Sequence, residues 1–356
     1  MASKKNIHYP LLPLSVLYGA GVYFRNKLFD FNLLKSERFP LPVICVGNIT
    51  VGGTGKTPHI EYLIRLLQGQ YRVAVLSRGY KRQSKGFQLA GNDSTALQLG
   101  DEPYQIHTKF PSITVAVDSD RRHGITQLLK CEKRPDVILL DDAYQHRYVK
   151  AGLNILLTDC NRMIYDDALL PAGRLRESMQ GVRRADLIIT TKCPSSLSDD
   201  EQQTIKKRLS SDKRQELFFS GLSYAPLRKV FGEEEAQLNH SAEILLVSGI
   251  ARPELFQKYI GEHYTLKESM LYPDHHDFNK KDIQQIEFKF SQISNKDKAV
   301  IVTEKDAVRL KNNPYLNEII KEHLYFLPLE VVILHSQTKR FNQIILDYVA
   351  ENQRNS

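Results

Sequence analysis

The stretch Gly52-Gly53-Thr54-Gly55-Lys56-Thr57 has the residue types and spacing to hold phosphate. Closely spaced glycines let successive backbone N–H groups converge on phosphate oxygens, and a helix starting here adds the partial positive charge of its N-terminus. A lysine in the penultimate place reaches the β- and γ-phosphates of a nucleoside triphosphate, and the final hydroxyl suits Mg2+. Nucleotide contacts are therefore expected from Thr50, Val51, Gly52, Gly53, Thr54, Gly55, Lys56 and Thr57. The match to G-x-x-x-x-G-K-[ST] is incomplete, because its first glycine falls on Thr50. The stretch is closer to x-G-G-x-G-K-[ST], with Val51 where that variant usually carries a further lysine. A glycine-rich turn of a dehydrogenase-like unit is the other reading of such a loop. The apolar strand before it (43–47) and the helical spacing of Ile60, Leu63, Ile64 and Leu67 after it favour the phosphate loop.

A second group of chemically capable residues follows the apolar run 137–140. Asp141 and Asp142 end that run as a Walker B strand ends, where a carboxylate faces the phosphate loop and can serve Mg2+ directly or through water. Phosphoryl transfer also needs a group that receives or orients the acceptor's proton. Candidates are Asp101-Glu102-Pro103 and Asp274-His275-His276-Asp277, an Asp–His pair being suited to a sugar hydroxyl. Gly-Asp-Glu-Pro also reads as a helix start, because aspartate caps well and proline suits a first turn. The Asp-His-His-Asp stretch also reads as a polar loop. Three basic stretches could grip an anion: 120–123 with Arg121, 174–176 with Arg176, and 183–184. Of these, Arg176 stands in a long loop after a strand, where function is concentrated. The alternative for each cluster is a solvated face.

The elements that position these residues alternate between strand and helix. Strands are expected at 72–77, 113–118, 136–141, 153–158 and 186–191, with helices at 102–110, 121–133 and 199–209. Apolar strands separated by helices imply a parallel sheet covered on both faces, with ligands at the carboxyl ends of its strands. A composition shift near 233–240 suggests a linker, after which strands at 243–248, 299–303 and 329–334 and helices near 253–260, 307–311 and up to 351 form a smaller unit. The expected organisation is α/β: an N-terminal helical segment 1–35, a phosphate-loop domain 36–230 and a smaller α/β domain 231–356.

Residues 11–24 carry no charge and are flanked by Lys4, Lys5, Arg25 and Lys27. The run is too short to cross a bilayer, which takes about 20 residues. It is either a helix packed on the protein's own core or a helix lying in a membrane interface, apolar face in lipid and basic ends on anionic headgroups. At 356 residues, 42% apolar and 25% charged, the chain is long enough for two cores and is not disordered. The net charge of +8 suggests an anionic partner. Four cysteines without C-x-x-C spacing point to neither a zinc site nor a disulfide framework. No aromatic-basic module for nucleic acid is evident.

Taken together, these motifs resemble the tetraacyldisaccharide 4'-kinases, the lipid A 4'-kinases of Gram-negative envelope biosynthesis. The resemblance runs in order through Leu12-Pro13-Leu14-Ser15-Val16-Leu17-Tyr18-Gly19, the 46–58 phosphate loop, Ser77-Arg78-Gly79-Tyr80 and Gly100-Asp101-Glu102-Pro103. It continues through Asp141-Asp142-Ala143-Tyr144-Gln145-His146, residues 170–177, Gly249-Ile250-Ala251, Asp274-His275 and Val302-Thr303-Glu304-Lys305-Asp306-Ala307. Ala143-Tyr144 departs from the family's usual Gly-Phe, and Arg174 from its common proline. The resemblance implies a peripheral enzyme on the cytosolic face of the inner membrane. Its reaction would move the ATP γ-phosphate to the 4'-hydroxyl of an acylated disaccharide 1-phosphate lipid. It further implies that Asp101 paired with His275 acts on the acceptor hydroxyl, that Lys56 stabilises the transferring group, and that Thr57, Glu102, Asp141 and Asp142 are the Mg2+ candidates. The substrate's own phosphate would give Arg121 and Arg176 a partner. The rival class is a membrane-associated phosphate-loop ATPase or switch protein, against which stand Val51 and the Asp-His pair.

Overall fold

A computed structural model describes residues 7–209, 212, 214–232, 238–250, 253–274 and 276–353. The chain divides into two compact units, Met1–Leu222 with Val331–Ser356, and Ser223–Glu330.

The first unit opens with helix α1 (Leu12–Asp30), preceded by a single 3-10 turn at Tyr9–Leu11. Strand β1 (Val43–Gly47) leads through the glycine-rich loop into α2 (Lys56–Leu67), and β2 (Val73–Ser77) follows. Then come β3 (Gln88–Leu89), α3 (Ala96–Leu99), α4 (Asp101–Lys109), β4 (Thr114–Val117), α5 (Arg121–Leu129) and β5 (Val137–Asp141). Strands β6 (Leu153–Asp159) and β7 (Leu187–Thr191), helix α6 (Asp199–Leu209) and strand β8 (Glu216–Tyr224) complete the stretch before the second unit.

Among the described residues the sheet has nine strands, in the order β14 (Leu329–Ile333), β8, β7, β6, β1, β5, β2, β4 and β3. From β8 to β4 every pairing is parallel, and the two-residue β3 closes one edge antiparallel to β4. Burial of both faces is written into each central strand. Val43 and Cys45 of β1 enter one core while Ile44 and Val46 enter the other, and Ile138 and Leu140 of β5 oppose Val137 and Leu139 in the same way. Helix α2 buries Ile60, Leu63, Ile64 and Leu67, the expected stripe, in the second of these cores. After β1 the chain moves outward to β2 and β4, returns to β5, and then crosses to β6 on the other side of β1. That reversal opens a crevice at the carboxyl end of β1, where open α/β sheets bind ligands.

The second unit contains β9 (Arg228–Lys229), β10 (Glu243–Ser248), α7 (Glu254–His263), β11 (Thr265–Leu271), α8 (Lys280–Ser291), β12 (Lys298–Thr303), α9 (Glu304–Lys311), α10 (Glu318–Glu322) and β13 (Leu324–Leu327). Its five strands run β11-β10-β12-β13-β9, parallel except for β9, with a core on each face.

The units differ from the expected 36–230 and 231–356 at their edges. Strand β14 (Leu329–Ile333) and helix α11 (Thr338–Gln353) return to the first unit. Val331, Ile333, Phe341, Ile345 and Val349 complete the core that also holds Ile60 and Ile64. The apolar spacing announces this strand and helix, but the sheet they join is set by long-range packing.

Candidate active site

The phosphate loop is held in shape from three sides. From within, Asn48 is fully buried and its Nδ2 donates to Thr54 Oγ1 at 2.8 Å. From β7, Thr191 Oγ1 donates to the Thr54 carbonyl at 2.9 Å, and Lys192 Nζ to the Gly53 carbonyl at 2.5 Å while pairing with Asp159 at 2.7 Å. From the loop after β6, Val51 N–H donates to the Arg174 carbonyl and Arg176 N–H to the Ile49 carbonyl, both at 2.8 Å. The bonds from Thr191, Lys192 and the Arg176 amide occupy loop carbonyls from outside, whereas Val51 spends its own N–H on Arg174. Gly55 adopts φ +84°, the left-handed region, as the cap of α2, a conformation in which glycine carries little penalty. Asn48, Thr191 and Lys192 went unmarked in the sequence reading. Their signal was their place at the carboxyl ends of apolar strands.

Asp142 lies between two cations. Lys56 Nζ approaches its Oδ1 at 3.5 Å, and Arg176 Nη1 its two carboxylate oxygens at 3.2 Å each. Arg176 also reaches Gln145 Oε1 at 3.4 Å, and Gln145 donates to the Asn48 carbonyl and to buried Glu177. Arg184 completes this side by pairing with Glu177 at 2.9 Å. Arg176 thus stands at the phosphate loop, in one cluster with Lys56.

Asp141 is buried, and Ser77 Oγ of β2 donates to its Oδ2 at 2.9 Å. Its Oδ1 is buried with no hydrogen-bond partner. Burial first, then the negative charge of Glu102, pushes its pKa up to about 6, against opposition from Ser77 and Lys56. A carboxyl group whose folded pKa lies above its unfolded value of about 3.9 favours folding most when protonated. That benefit is complete below the unfolded pKa and is lost as pH rises through about 6. Asp141→Asn is therefore expected to raise stability by on the order of 2 kcal/mol at pH 8, with the gain vanishing near pH 4. Thermal melts across that range check this, and equal melting shifts at both pH values would refute it.

Asp101 and Glu102 form the exposed first turn of α4. Gly100 precedes them at φ +91°, where a Cβ would press on the Tyr80 carbonyl oxygen at 3.0 Å. The loop after β2 thereby fixes the start of α4, and the effect of Glu102 on Asp141 ties that helix electrostatically to the carboxyl end of β5.

Arg121, expected to grip a substrate anion, is buried instead. Nη1 donates to the Asp118 and Ser119 carbonyls at 3.3 and 3.2 Å, and Nη2 to the Asp141 carbonyl at 3.4 Å. A guanidinium occupied this way braces the ends of β4 and β5. Its neighbour Arg122 is partly exposed and pairs with Asp120 at 2.9 Å.

His275 lies outside the described residues. Beside it in the second unit, His276 Nε2 bonds Asp282 Oδ2 at 2.8 Å and stacks on Tyr272. Among the described residues no three His, Cys, Asp or Glu side chains form a ready metal cage.

Helix α1 lies on the protein surface with most of its apolar side chains exposed. Its polar groups face the protein: Ser15 Oγ donates to the Leu169 carbonyl and accepts from Ala172 N–H, both at 2.9 Å, and Tyr18 donates to the Arg176 carbonyl at 2.9 Å. Arg25 reaches the Gln145 carbonyl at 3.1 Å. Its apolar side chains face outward, with Val16 69%, Leu17 71% and Phe24 66% exposed. Only Ser15 and Phe29 of the helix are buried, so α1 is not the core helix that the apolar run also allowed. Among the described residues no helix is long and apolar enough to cross a membrane.

A parallel sheet with a reversal beside β1, a glycine-rich loop capping α2, and carboxylates at the end of β5 define a phosphate-loop protein of the kinase type. The family model for tetraacyldisaccharide-1-P 4'-kinase matches residues 7–350. The tetraacyldisaccharide 4'-kinase of Bacteroides thetaiotaomicron is 50% identical over 98% of this chain and 95% of its own. That of Parabacteroides distasonis is 51% identical over 97% and 95%. A crystal structure described as the "apo" form of LpxK from Aquifex aeolicus in complex with ATP has a TM-score of 0.73 and 30% identity, covering 96% of this chain and 99% of that one. The chain belongs to the tetraacyldisaccharide-1-P 4'-kinase family. It is an enzyme of the phosphotransferase class with an alcohol group as acceptor.

Proposed function

We propose that the chain transfers the γ-phosphoryl group of ATP to the 4'-hydroxyl of an acylated disaccharide 1-phosphate, at a membrane surface on the cytosolic side. The observation that carries this reading is the set of Lys56, Asp142 and Arg176 beside the braced phosphate loop. Asp142 neutralises two cations that triphosphate oxygens can claim, so nucleotide binding exchanges one anionic partner for another instead of exposing bare charge. Lys56 then lies where negative charge shifts during transfer. Asp101, exposed at the start of α4, is positioned to meet an acceptor hydroxyl arriving from solvent.

The donor set fits Mg2+. The orphaned, buried Oδ1 of Asp141 needs a cation or a cation-bound water, and Asp142, Glu102 and the Thr57 hydroxyl are the other oxygens proposed to hold it. When bound, the ion neutralises charge on the β- and γ-phosphates. The chain's own residues position the loop amides, hold Lys56 and orient the acceptor.

Incubation with labelled ATP and tetraacyldisaccharide 1-phosphate tests the reading. A phosphorylated lipid supports it, and ATP hydrolysis indifferent to lipid would support the ATPase or switch alternative.

The outward apolar face of α1 supports attachment to lipid, with Lys27 beside it for anionic headgroups. Leu17→Glu with Phe24→Glu alters two exposed side chains and none of the bonds from α1 to the loop at 169–176. The pair is expected to lower binding to vesicles containing anionic lipid at least tenfold, since each large side chain gains about 1.5–3 kcal/mol on leaving water. Cosedimentation reads the result, and unchanged binding would leave α1 without a lipid role.

A further inference from the structure

His59 stands one turn into α2, is 4% exposed and makes two hydrogen bonds. Its Nδ1 lies 2.7 Å from the Gly55 carbonyl oxygen, and its Nε2 lies 3.0 Å from Ser220 Oγ of β8. A carbonyl can only accept, so Nδ1 carries the proton. Nε2 is then a lone pair, and the Ser220 hydroxyl donates to it. Ser220 is itself fully buried, with its carbonyl taken by Cys193 N–H at 2.9 Å, so it is a fixed partner. The pair Ser220–His59 therefore selects one tautomer and aims it at one backbone oxygen.

That oxygen matters because of what lies across its peptide bond. The Gly55–Lys56 amide is planar, and in a trans peptide the C=O and N–H point in opposite directions. Pulling the Gly55 carbonyl inward toward His59 turns the Lys56 N–H outward, into the cradle of the phosphate loop. The helical bond from His59 N to the same oxygen is the longer of the two, at 3.3 Å, so the ring nitrogen is the closer partner of that carbonyl. Gly55 sits at φ +84° and has no side chain to hold its peptide plane. The first turn of α2 also has few amides to offer, because Pro58 contributes none. Lys56 and Thr57 supply them.

We propose that His59 is a positioning residue for nucleotide binding: with Ser220 it locks the Gly55–Lys56 peptide in the orientation that presents the Lys56 amide to phosphate. This rests on the reading of the loop as the ATP site.

The test compares His59→Leu, which fills the space without a donor, with His59→Asn, whose amide nitrogen can take the place of Nδ1. Binding of a non-hydrolysable ATP analogue is measured by calorimetry, well below the melting temperature of each protein. His59→Leu is expected to weaken affinity about tenfold and raise the KM for ATP in step, with the KM for the lipid acceptor unchanged. His59→Asn is expected to stay within about threefold of the unaltered protein, even where its melting temperature falls as far. Equal affinity in His59→Leu and the unaltered protein overturns the proposal, as does an equal loss in the Leu and Asn variants. Failure of the unaltered protein to bind the analogue overturns the ATP reading instead. Should His59→Leu not fold, Ser220→Ala decides. Freed from its tautomer lock, that variant is expected to lose about threefold in analogue affinity, and no loss overturns the proposal.

Discussion

Replacing Lys56 with alanine is expected to lower kcat by ~10³-fold or more while the protein stays folded. The side chain is partly buried but is no packing element of the core, and its recorded partner is Asp142 at 3.5 Å. Phosphoryl transfer gives a protein little covalent work, so a cation at the γ-phosphate acts mainly on charge that shifts in the transition state. The loss should appear in kcat more than in the KM for ATP, because backbone amides of the loop and Arg176 remain to bind the ground state. In the variant Asp142 keeps Arg176 as its partner at 3.2 Å, so no carboxylate is left stranded. Single-turnover measurements with saturating ATP check the expectation. Near-normal turnover in a folded variant would remove the loop from the reaction.

Much of this site was legible in the sequence because it is local. An apolar strand, glycines, Lys56-Thr57 and an amphipathic helix are contiguous, and each imposes its own geometry. Asp141 and Asp142 were legible for the same reason, as charge at the end of a fully apolar strand. Arg121 and Arg176 show where local reading ends. Both look like surface cations, yet Arg121 is folded inward onto three carbonyls, while Arg176 joins Lys56 on Asp142. The long loop marks Arg176, but the groups that separate the two are distant in sequence: the Asp141 carbonyl, which with the nearby Asp118 and Ser119 carbonyls draws Arg121 inward, and the Asp142 carboxylate that holds Arg176. Strand β14 failed in a similar way, its sheet being decided by the core that Phe341 and Ile345 complete. Strand β8 was overlooked because Glu216-Leu-Phe-Phe-Ser-Gly-Leu-Ser-Tyr224 breaks its apolar run with Ser220 and Gly221. Ser220 is the residue that meets His59. Helix α8 was missed despite a readable start, for Asn279 and Asp282 form a capping box ahead of Ile283 and Ile286. For α1, the sequence left a core helix and an interface helix open, and the bonds of Ser15, Tyr18 and Arg25 turn its apolar side outward.

Asp101→Ala and His275→Ala are each expected to depress kcat by at least ~10²-fold with ATP affinity little changed, and the double variant to be scarcely slower than the slower single. The reasoning starts from the acceptor. A sugar hydroxyl is a poor nucleophile unless it is aligned with the phosphorus and its proton has somewhere to go. Asp101 stands exposed in the first turn of α4, behind Gly100 and close in sequence to Glu102, whose charge is felt at Asp141. The proposed part of Asp101 is to take the hydroxyl proton. The proposed part of His275 is to orient that carboxylate or to tune its charge, so that either residue alone is of little use. Residues acting as one unit lose their effect together: once the first is gone, the second has nothing to position. Multiplicative losses in the double variant would separate the two, leaving Asp101 to act alone and His275 to contact substrate on its own account. Glu102→Gln supplies the contrast within the same turn. If Glu102 serves the metal, its change should raise the Mg2+ concentration needed for half-maximal rate, whereas Asp101→Ala should leave that concentration where it was.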